Sequence, residues 1–268
     1  MKRKVSTPSF FGANAVFSLA QAADAFGLPA AREKVRHRLK HHVKSGGLKK
    51  AAKGVYAVVQ PGLKPDQVRP DPFMVAAVVR DDAVFSHHSA LELLGVAQSA
   101  WRQCTVYTSA VRRPLKLRDA SVLFLAHPTP LRGRNRHLGT QQVERAGALL
   151  RVTGPERTLV EGFRRPALVG GLEELVQSAS GFAVLDLKLL EKVLRAYDAA
   201  NLWAATGWFL ERFQTTLHVP NKFLALCQRH RPRSPQYLAR GSRGGVQASR
   251  WNLILPDVLA ATEGTDEA

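Results

Sequence analysis

The chain has 268 residues, of which 45% are hydrophobic and 22% charged, so it is long and apolar enough to fold as two domains and is not intrinsically disordered. Its formal net charge of +18 indicates a polyanionic partner, for which nucleic acid and an anionic membrane surface are the two candidates. No apolar run of about 18 residues occurs and Met1-Lys2-Arg3-Lys4 precedes no apolar signal region, so we expect a cytoplasmic protein without a membrane partner.

Residues 17–59 show a pattern of two helices and a hairpin. Ser18 is placed to cap a short helix with one apolar stripe, and residues 26–29 predict a turn. Pro29 suits the first position of a second helix, which we expect over residues 30–44. The apolar residues of this helix fall four apart, on one stripe: Ala31, Val35, Leu39 and Val43. Ser45-Gly46-Gly47 then predicts the helix end.

A small hairpin is expected after this helix. Residues 48–50 and 55–59 predict two strands joined by a turn at Lys53-Gly54. Two helices followed by such a hairpin form a winged helix-turn-helix, in which the hairpin is the wing. Residues 1–60 carry 12 Lys and Arg and only 2 acidic residues, whereas a merely solvated surface usually mixes the two signs. Pattern and charge together predict a DNA-binding domain.

The cationic side chains of this module form the predicted DNA interface. They lie on the second helix and on the wing: Arg32, Arg36, His37, Lys40, Lys44, Lys49, Lys50 and Lys53. We expect the helix to enter the major groove of double-stranded DNA with Arg32 and Arg36 nearest the base edges, because arginine reads guanine through two hydrogen bonds. The wing lysines are expected on backbone phosphates. The expected target is an inverted-repeat operator bound by two or more copies of the chain, such as a homodimer.

A proline-rich segment separates this module from the rest of the chain. We predict a linker over residues 61–72, because its prolines cannot continue the wing strand. The expected fold is therefore α+β, with a winged helix-turn-helix over residues 1–60 and a larger mixed α/β domain over residues 73–268. The predicted helices of the second domain lie at 72–79, 86–95, 155–163, 171–179, 185–197 and 201–213, and its predicted strands at 104–108, 121–125, 149–152 and 251–255.

Four segments, in this order, resemble the AbiEi family of abortive-infection antitoxins. They are Lys53-Gly54-Val55-Tyr56, residues 85–91 followed by Gly95, residues 154–160 with Gly170-Gly171, and Trp251-Asn252-Leu253. The resemblance spans about residues 18–256. It implies a bacterial type IV antitoxin whose winged helix represses its own operon and whose second domain counteracts a nucleotidyltransferase toxin encoded beside it. The family assigns the antitoxic role to the whole second domain rather than to a motif, so no residue here inherits it.

The sequence carries no motif of a common catalytic class. The patterns GxxxxGK[ST], HExxH and GxSxG are absent, as is the DxD of nucleotidyltransferases. Ser86-His87-His88 does not predict a metal site, because adjacent helical residues point about 100° apart. Ser86 is instead expected to cap a helix. Cys104 and Cys227 lack CxxC partners, so we expect neither a disulfide framework nor a thiolate zinc site. Together with the missing catalytic motifs, this predicts a protein with no metal, no cofactor and no enzymatic activity.

Two alternative functions remain open at this point. A general winged-helix regulator without a toxin partner would carry the same DNA-binding module. A metal-dependent nucleic-acid-processing enzyme would have to use Asp186 and Lys188 with Glu161 or Glu191. The pattern places those residues on regular helices, where exposed charges are usual.

A second basic region follows the helical part of the second domain. No acidic residue occurs between Glu211 and Asp257, and the prolines and glycines there predict basic loops. Its arginines form a second candidate phosphate-binding surface: Arg229, Arg231, Arg233, Arg240 and Arg243. A solvated rim and a docking patch for an acidic protein are equally open. The same alternatives hold for a smaller cluster: Arg132, Arg134, Arg136 and His137.

Overall fold

The computed structural model describes residues 5–238 and 244–260, and the chain divides into two compact units. Unit 1 contains residues 1–83, 102–126 and 144–150, and unit 2 the remainder. The predicted linker at 61–72 thus lies inside unit 1 rather than between the units. Within the described ranges, no helix is both long and apolar enough to cross a membrane.

Unit 1 begins with the predicted winged helix-turn-helix. Its elements are α1 (Thr7–Ala13), β1 (Val16–Ser18), α2 (Leu19–Ala25), α3 (Arg32–Lys44), β2 (Leu48–Ala52) and β3 (Val55–Val58). Ser18 caps α2 as predicted, since its hydroxyl accepts a hydrogen bond from the Gln21 amide while the Gln21 side chain accepts one from the Ser18 amide. The sheet order β1-β3-β2 places the second wing strand in the centre.

The predicted stripe of α3 forms the core of this module. Val35 and Leu39 are fully buried and pack with the aromatic rings of Phe10, Phe17 and Phe26. The predicted start of this helix was wrong by two residues, because Pro29 and Ala30 belong to the preceding turn and α3 begins at Arg32. Helix α1 and strand β1 were not predicted from the sequence.

The rest of unit 1 packs against the winged helix. It contains α4 (Pro72–Val79), β5 (Gln103–Thr108), β6 (Leu115–Lys116) and β7 (Ser121–Ala126), with β5 parallel and β6 antiparallel to β7. Met74 and Val75 of α4 share a hydrophobic cluster with Val16 of β1 and with Val55 and Ala57 of β3. Burial of these residues explains why residues 61–83 join the winged helix in one unit.

Unit 2 is mainly helical. Its helices are α5 (His88–Leu93), α6 (Pro155–Arg164), α7 (Leu172–Ser180), α8 (Leu187–Tyr197), α9 (Ala200–Arg212), α10 (Asn221–Arg229) and α11 (Asp257–Ala260). Strand β4 (Val84–Phe85) runs parallel to β9 (Ala148–Thr153), and both β8 (Thr140–Arg145) and β9 continue across the boundary between the units. Strands β10 (Gln236–Tyr237) and β11 (Val246–Ala248) flank β12 (Leu253–Leu255). The predicted mixed α+β fold is confirmed.

Helices α6 to α10 surround one large apolar core. Phe209 and Leu210 of α9 are fully buried there, and Trp251 packs into the same cluster. Cys227 of α10 also lies in this core, and burial raises the pKa of its thiol to about 12. Both Cys104 and Cys227 are buried.

Three local predictions for this part of the chain were wrong. Ser86 does not cap α5, because the helix begins at His88 and the Ser86 hydroxyl contacts Nδ1 of His87 at 2.9 Å. The region after Arg212 is not only loop, since α10 spans Asn221–Arg229 and buries Phe223 on its inner face. Trp251 lies in a 3-10 turn rather than in the final strand.

Candidate nucleic-acid interface

Helix α3 presents a cationic face on the side opposite its buried stripe. Because successive helical residues turn by about 100°, Glu33, His37 and Lys44 point away from Val35, with Lys40 beside them. All five predicted interface residues of the helix are exposed: Arg32, Arg36, His37, Lys40 and Lys44. Helix packing therefore leaves this face accessible.

Most of these five side chains have no partner among the described residues. In residues 5–238 and 244–260, Arg32, His37, Lys40 and Lys44 make no ion pair or side-chain hydrogen bond. Arg36 differs, because its guanidinium pairs with the Glu33 carboxylate one turn earlier. Both side chains of that pair are more than half exposed. The face thus offers unneutralised positive charge, with one acidic residue in its first turn.

Arg38 is held on the other side of α3. Its guanidinium carbon lies 4.7 Å from the ring centroid of Phe26, within reach of a cation–π interaction. The neighbouring His42 packs edge-on against Phe11, with ring centroids 5.1 Å apart. Partial burial lowers the pKa of His42, and the positive potential of His41 and Arg38 lowers it further. His42 is therefore half-buried beside Phe11, whereas Arg38 and His41 are exposed.

The wing lysines do not all face solvent. Lys50 and Lys53 are exposed, but Lys49 is half-buried and its Nζ donates a 2.7 Å hydrogen bond to the carbonyl oxygen of Val68. The predicted phosphate contact of Lys49 is therefore corrected, because its ammonium group already holds the segment after the wing. Side chains alternate across a strand, which is why adjacent lysines of β2 differ in this way.

The turn of the wing is fixed by a backbone contact. Gly54 has a φ of +75°, which favours glycine, and its carbonyl oxygen accepts a 2.8 Å hydrogen bond from the amide of Leu19 at the start of α2. Lys53 lies beside this glycine at the tip. The exposed lysines of the wing are thus carried by a hairpin that is attached to the helical part of the module.

Four exposed residues of α3 are missing from the predicted interface: Glu33, Lys34, Arg38 and His41. Glu33 and Lys34 follow Arg32 directly and lie on the solvent side of the helix. The 100° rotation per residue would have identified both. Attention to cations alone missed Glu33, although an acidic residue on a DNA-facing helix has a direct chemical meaning, since carboxylates accept hydrogen bonds from cytosine N4.

The second basic region forms a groove in unit 2. Lys222 and Arg229 of α10 line a cavity of about 680 Å³ together with Arg231 and Arg233 of the following loop. Arg250 is not part of it, because its guanidinium pairs with Glu211. Arg240 and Arg243, which were also predicted for this surface, lie outside the described residues. Three of the five predicted arginines are therefore brought together, with one lysine added.

The carboxylates required by the nuclease alternative already have partners. Glu161 is buried and accepts hydrogen bonds from Nε of Arg157 at 2.8 Å and from the hydroxyl of Tyr197 at 2.6 Å. Asp186 caps α8 by accepting bonds from the amides of Lys188 and of the next residue. Glu191 pairs with an arginine one turn later at 2.8 Å. Among the described residues, no group of three or more His, Cys, Asp and Glu could hold a metal ion.

The two adjacent histidines of unit 2, His87 and His88, are packed in its interior. His87 is fully buried at a φ of 56°, and burial lowers its pKa to about 3, with further lowering by Arg165 and Arg157. The ring of His88 stacks on Trp101 at 4.7 Å. Burial lowers the pKa of His88 as well, although Glu174 opposes that shift. Both rings are therefore neutral core groups at neutral pH.

The comparisons with known proteins extend the fold assignment only. No protein-family model matches the chain, and no curated protein is significantly similar to it. Among solved structures, the RV2827C protein from Mycobacterium tuberculosis is similar, with a TM-score of 0.63 and 17% sequence identity. The match covers 98% of this chain and 97% of that one. At this identity the likeness shows a shared α+β fold over nearly the whole chain.

Proposed function

We propose that this protein is a DNA-binding transcriptional repressor that acts as the antitoxin of a type IV toxin–antitoxin system. The observation that carries the DNA-binding half is the exposed face of α3, on which Arg32, Lys40 and Lys44 have no partner within the described ranges. Helix, wing and charge agree with one another in one module, which is the arrangement that binds the major groove. The net charge of +18 supports a nucleic-acid partner.

In this proposal α3 lies in the major groove of a duplex operator. Its first two turns carry Arg32, Glu33 and Arg36, the residues nearest the base edges, where arginine reads guanine and glutamate accepts from cytosine. Lys40 and Lys44 follow along the exposed face, and Lys50 and Lys53 of the wing contact phosphates. Two or more copies of the chain would bind the halves of an inverted repeat.

The antitoxin half rests on the resemblance to AbiEi antitoxins. It assigns to residues beyond the winged helix the role of counteracting a nucleotidyltransferase toxin. A general regulator without a toxin partner is the alternative. The gene neighbourhood distinguishes them, because only the antitoxin requires an adjacent nucleotidyltransferase gene. Coexpression tests the assignment directly: the protein should restore growth to cells that express that nucleotidyltransferase, and unchanged growth arrest would contradict it.

A footprint on the DNA upstream of the protein's own gene tests the repressor half. The wild-type protein should protect an inverted repeat, and Arg32→Ala with Lys40→Ala should abolish protection. Lys64→Ala, which removes an exposed cation of unit 1 outside α3 and the wing, is the matched control. With about six phosphates neutralised by each copy of the chain, log affinity should fall against log salt with a slope of roughly −5. An affinity that barely changes with salt would overturn the proposal.

The same double variant distinguishes the repressor function from the antitoxin function. Arg32→Ala with Lys40→Ala should lose operator binding but still restore growth, because neither residue lies in unit 2. Loss of both activities in a folded variant would mean that toxin neutralisation acts through the winged helix. The assignment of antitoxicity to the second domain would then be wrong.

A further inference from the structure

The groove on unit 2 combines four cations in one concave surface. Lys222, Ala225 and Arg229 lie on the outward face of α10, opposite the buried Phe223, and Arg231 and Arg233 follow in the loop. The remaining lining residues are Gln228, Pro232 and Asn252. Among the described residues, none that lines this cavity of about 680 Å³ is acidic. Its walls therefore concentrate positive potential.

The charge of the groove is not used by the fold. Within the described part of the chain, the four cations make no ion pair and no side-chain hydrogen bond. Other arginines of unit 2 do have such roles: Arg157 binds Glu161, Arg195 binds Glu191 and Arg250 binds Glu211. Four like charges around one cavity repel one another unless an anion is present, so the surface is suited to an anionic ligand rather than to stability.

The spacing of the cations favours a ligand with several negative groups in a row. Lys222 and Arg229 are seven residues apart on α10, which corresponds to about 10 Å along the helix axis. None of the described lining residues is aromatic, so these residues offer bases no ring on which to stack. The Asn252 amide donates to the carbonyl oxygen of Pro232 at 2.8 Å and holds the loop in place. Recognition would therefore be of charge and spacing rather than of bases.

We infer that this groove binds the phosphate backbone of a nucleic-acid duplex without sequence preference. Successive phosphates provide a row of negative charges, and guanidinium groups contact phosphate through two parallel hydrogen bonds. Because the described lining residues include no stacking ring, the groove favours a duplex, whose bases are already stacked, over a single strand. This site uses residues of unit 2 only, so it is independent of the operator contacts proposed for α3.

The inference is tested with Lys222→Gln and Arg229→Gln in the full chain. Lys188→Gln with Lys192→Gln is the matched control, because it removes the same charge from exposed positions of another unit 2 helix. Both pairs are also placed in the background Arg32→Ala, Lys40→Ala, Lys44→Ala. Fluorescence anisotropy with labelled duplex DNA and duplex RNA of arbitrary sequence, across a range of salt, reports the affinity. Circular dichroism reports the fold.

The groove variant should weaken duplex binding roughly ten-fold at low salt and reduce the salt slope by about 2, in both backgrounds. The control should change neither. Weaker binding of either duplex by the groove variant supports the inference. The ratio of the DNA and RNA affinities then shows which of the two duplexes the groove prefers. Equal behaviour of groove variant and control would overturn it, as would tighter binding of poly-glutamate than of duplex. Because the comparison is also made without the α3 cations, the test of the groove does not depend on whether α3 binds an operator.

Discussion

The indole ring of Trp251 lies directly on the backbone of Gly207 in the middle of α9. A methyl group on residue 207 would lie 2.2 Å from the ring carbon Cζ3, well inside van der Waals contact. Trp251 is fully buried, and its Nε1 donates to the carboxylate of Glu211 one turn further along α9. A glycine thus allows the end of the chain to pack against the central helix of unit 2.

Gly207→Ala should therefore destabilise the protein although alanine favours helix. Overpacking of a filled core costs about 1–3 kcal/mol, which exceeds the gain of up to about 1 kcal/mol from helix propensity. The free energy of unfolding from urea titration measures the difference. Gly12→Ala is the control, because nothing lies within 4 Å of its added methyl group. Equal stability of the two variants would contradict the packing seen around Trp251.

Adjacent lysines of the wing should respond differently to substitution. Lys49→Gln removes the hydrogen bond to the Val68 carbonyl, so we expect a loss of about 1 kcal/mol in the free energy of unfolding. Lys50→Gln should leave stability unchanged and weaken binding to duplex DNA, since Lys50 is exposed. Chemical denaturation and anisotropy titration of both variants test the pair. The opposite pattern would mean that Lys49 rather than Lys50 faces DNA.

Glu33→Gln tests whether the acidic residue on α3 contributes to sequence reading. The substitution frees Arg36 and removes a negative charge near phosphates, so affinity for arbitrary duplex DNA should rise a few-fold. Affinity for the operator should rise less, which lowers the specificity ratio. Stability should change by less than about 1 kcal/mol because the Glu33–Arg36 pair is exposed. Asp24→Asn, an exposed acid of α2, is the control. An unchanged ratio would show that Glu33 reads no base.

Acidification should destabilise the protein through His87. Burial holds the pKa of His87 at about 3 in the folded chain, whereas the unfolded chain binds a proton near pH 6.5. The unfolded state therefore binds more protons between these values, and the free energy of unfolding falls by about 1.4 kcal/mol per pH unit as pH decreases below about 6.5. His87→Gln should reduce this slope by about 1.4 kcal/mol per pH unit, which corresponds to one proton. His218→Gln, at an exposed histidine that also has positive φ, should leave it unchanged.

The apolar stripe of α3 was predictable from sequence because its periodicity is local. Val35 and Leu39 recur at helical spacing, and no distant residue is needed to identify their common face. The first residue of the helix was not predictable from sequence, because Pro29 suits a turn as well as a first helical position. The amide of Ala31 bonds to the carbonyl of Leu28 and closes that turn, which delays the helix to Arg32.

Elements that depend on distant partners were missed. Strand β1 has three residues, too few to show alternation, and exists because Val16 to Ser18 pair with Val55 to Ala57. Helix α10 was hidden by its cations and flanking prolines, although Phe223, Leu224 and Cys227 have helical spacing. The role of Lys49 could not be read at all, because its partner is a backbone carbonyl 19 residues away.

The double pairing of β3 has a thermodynamic consequence for recognition. Because β1 and β2 bond to its two edges, and Leu19 holds the turn at Gly54, the wing is ordered before any ligand arrives. In the proposed function, little conformational entropy would then be lost when Lys50 and Lys53 contact a duplex, so a contact of given strength would yield more net affinity. Lengthening the turn between Lys53 and Gly54 with flexible residues would forfeit that advantage while leaving every charge in place.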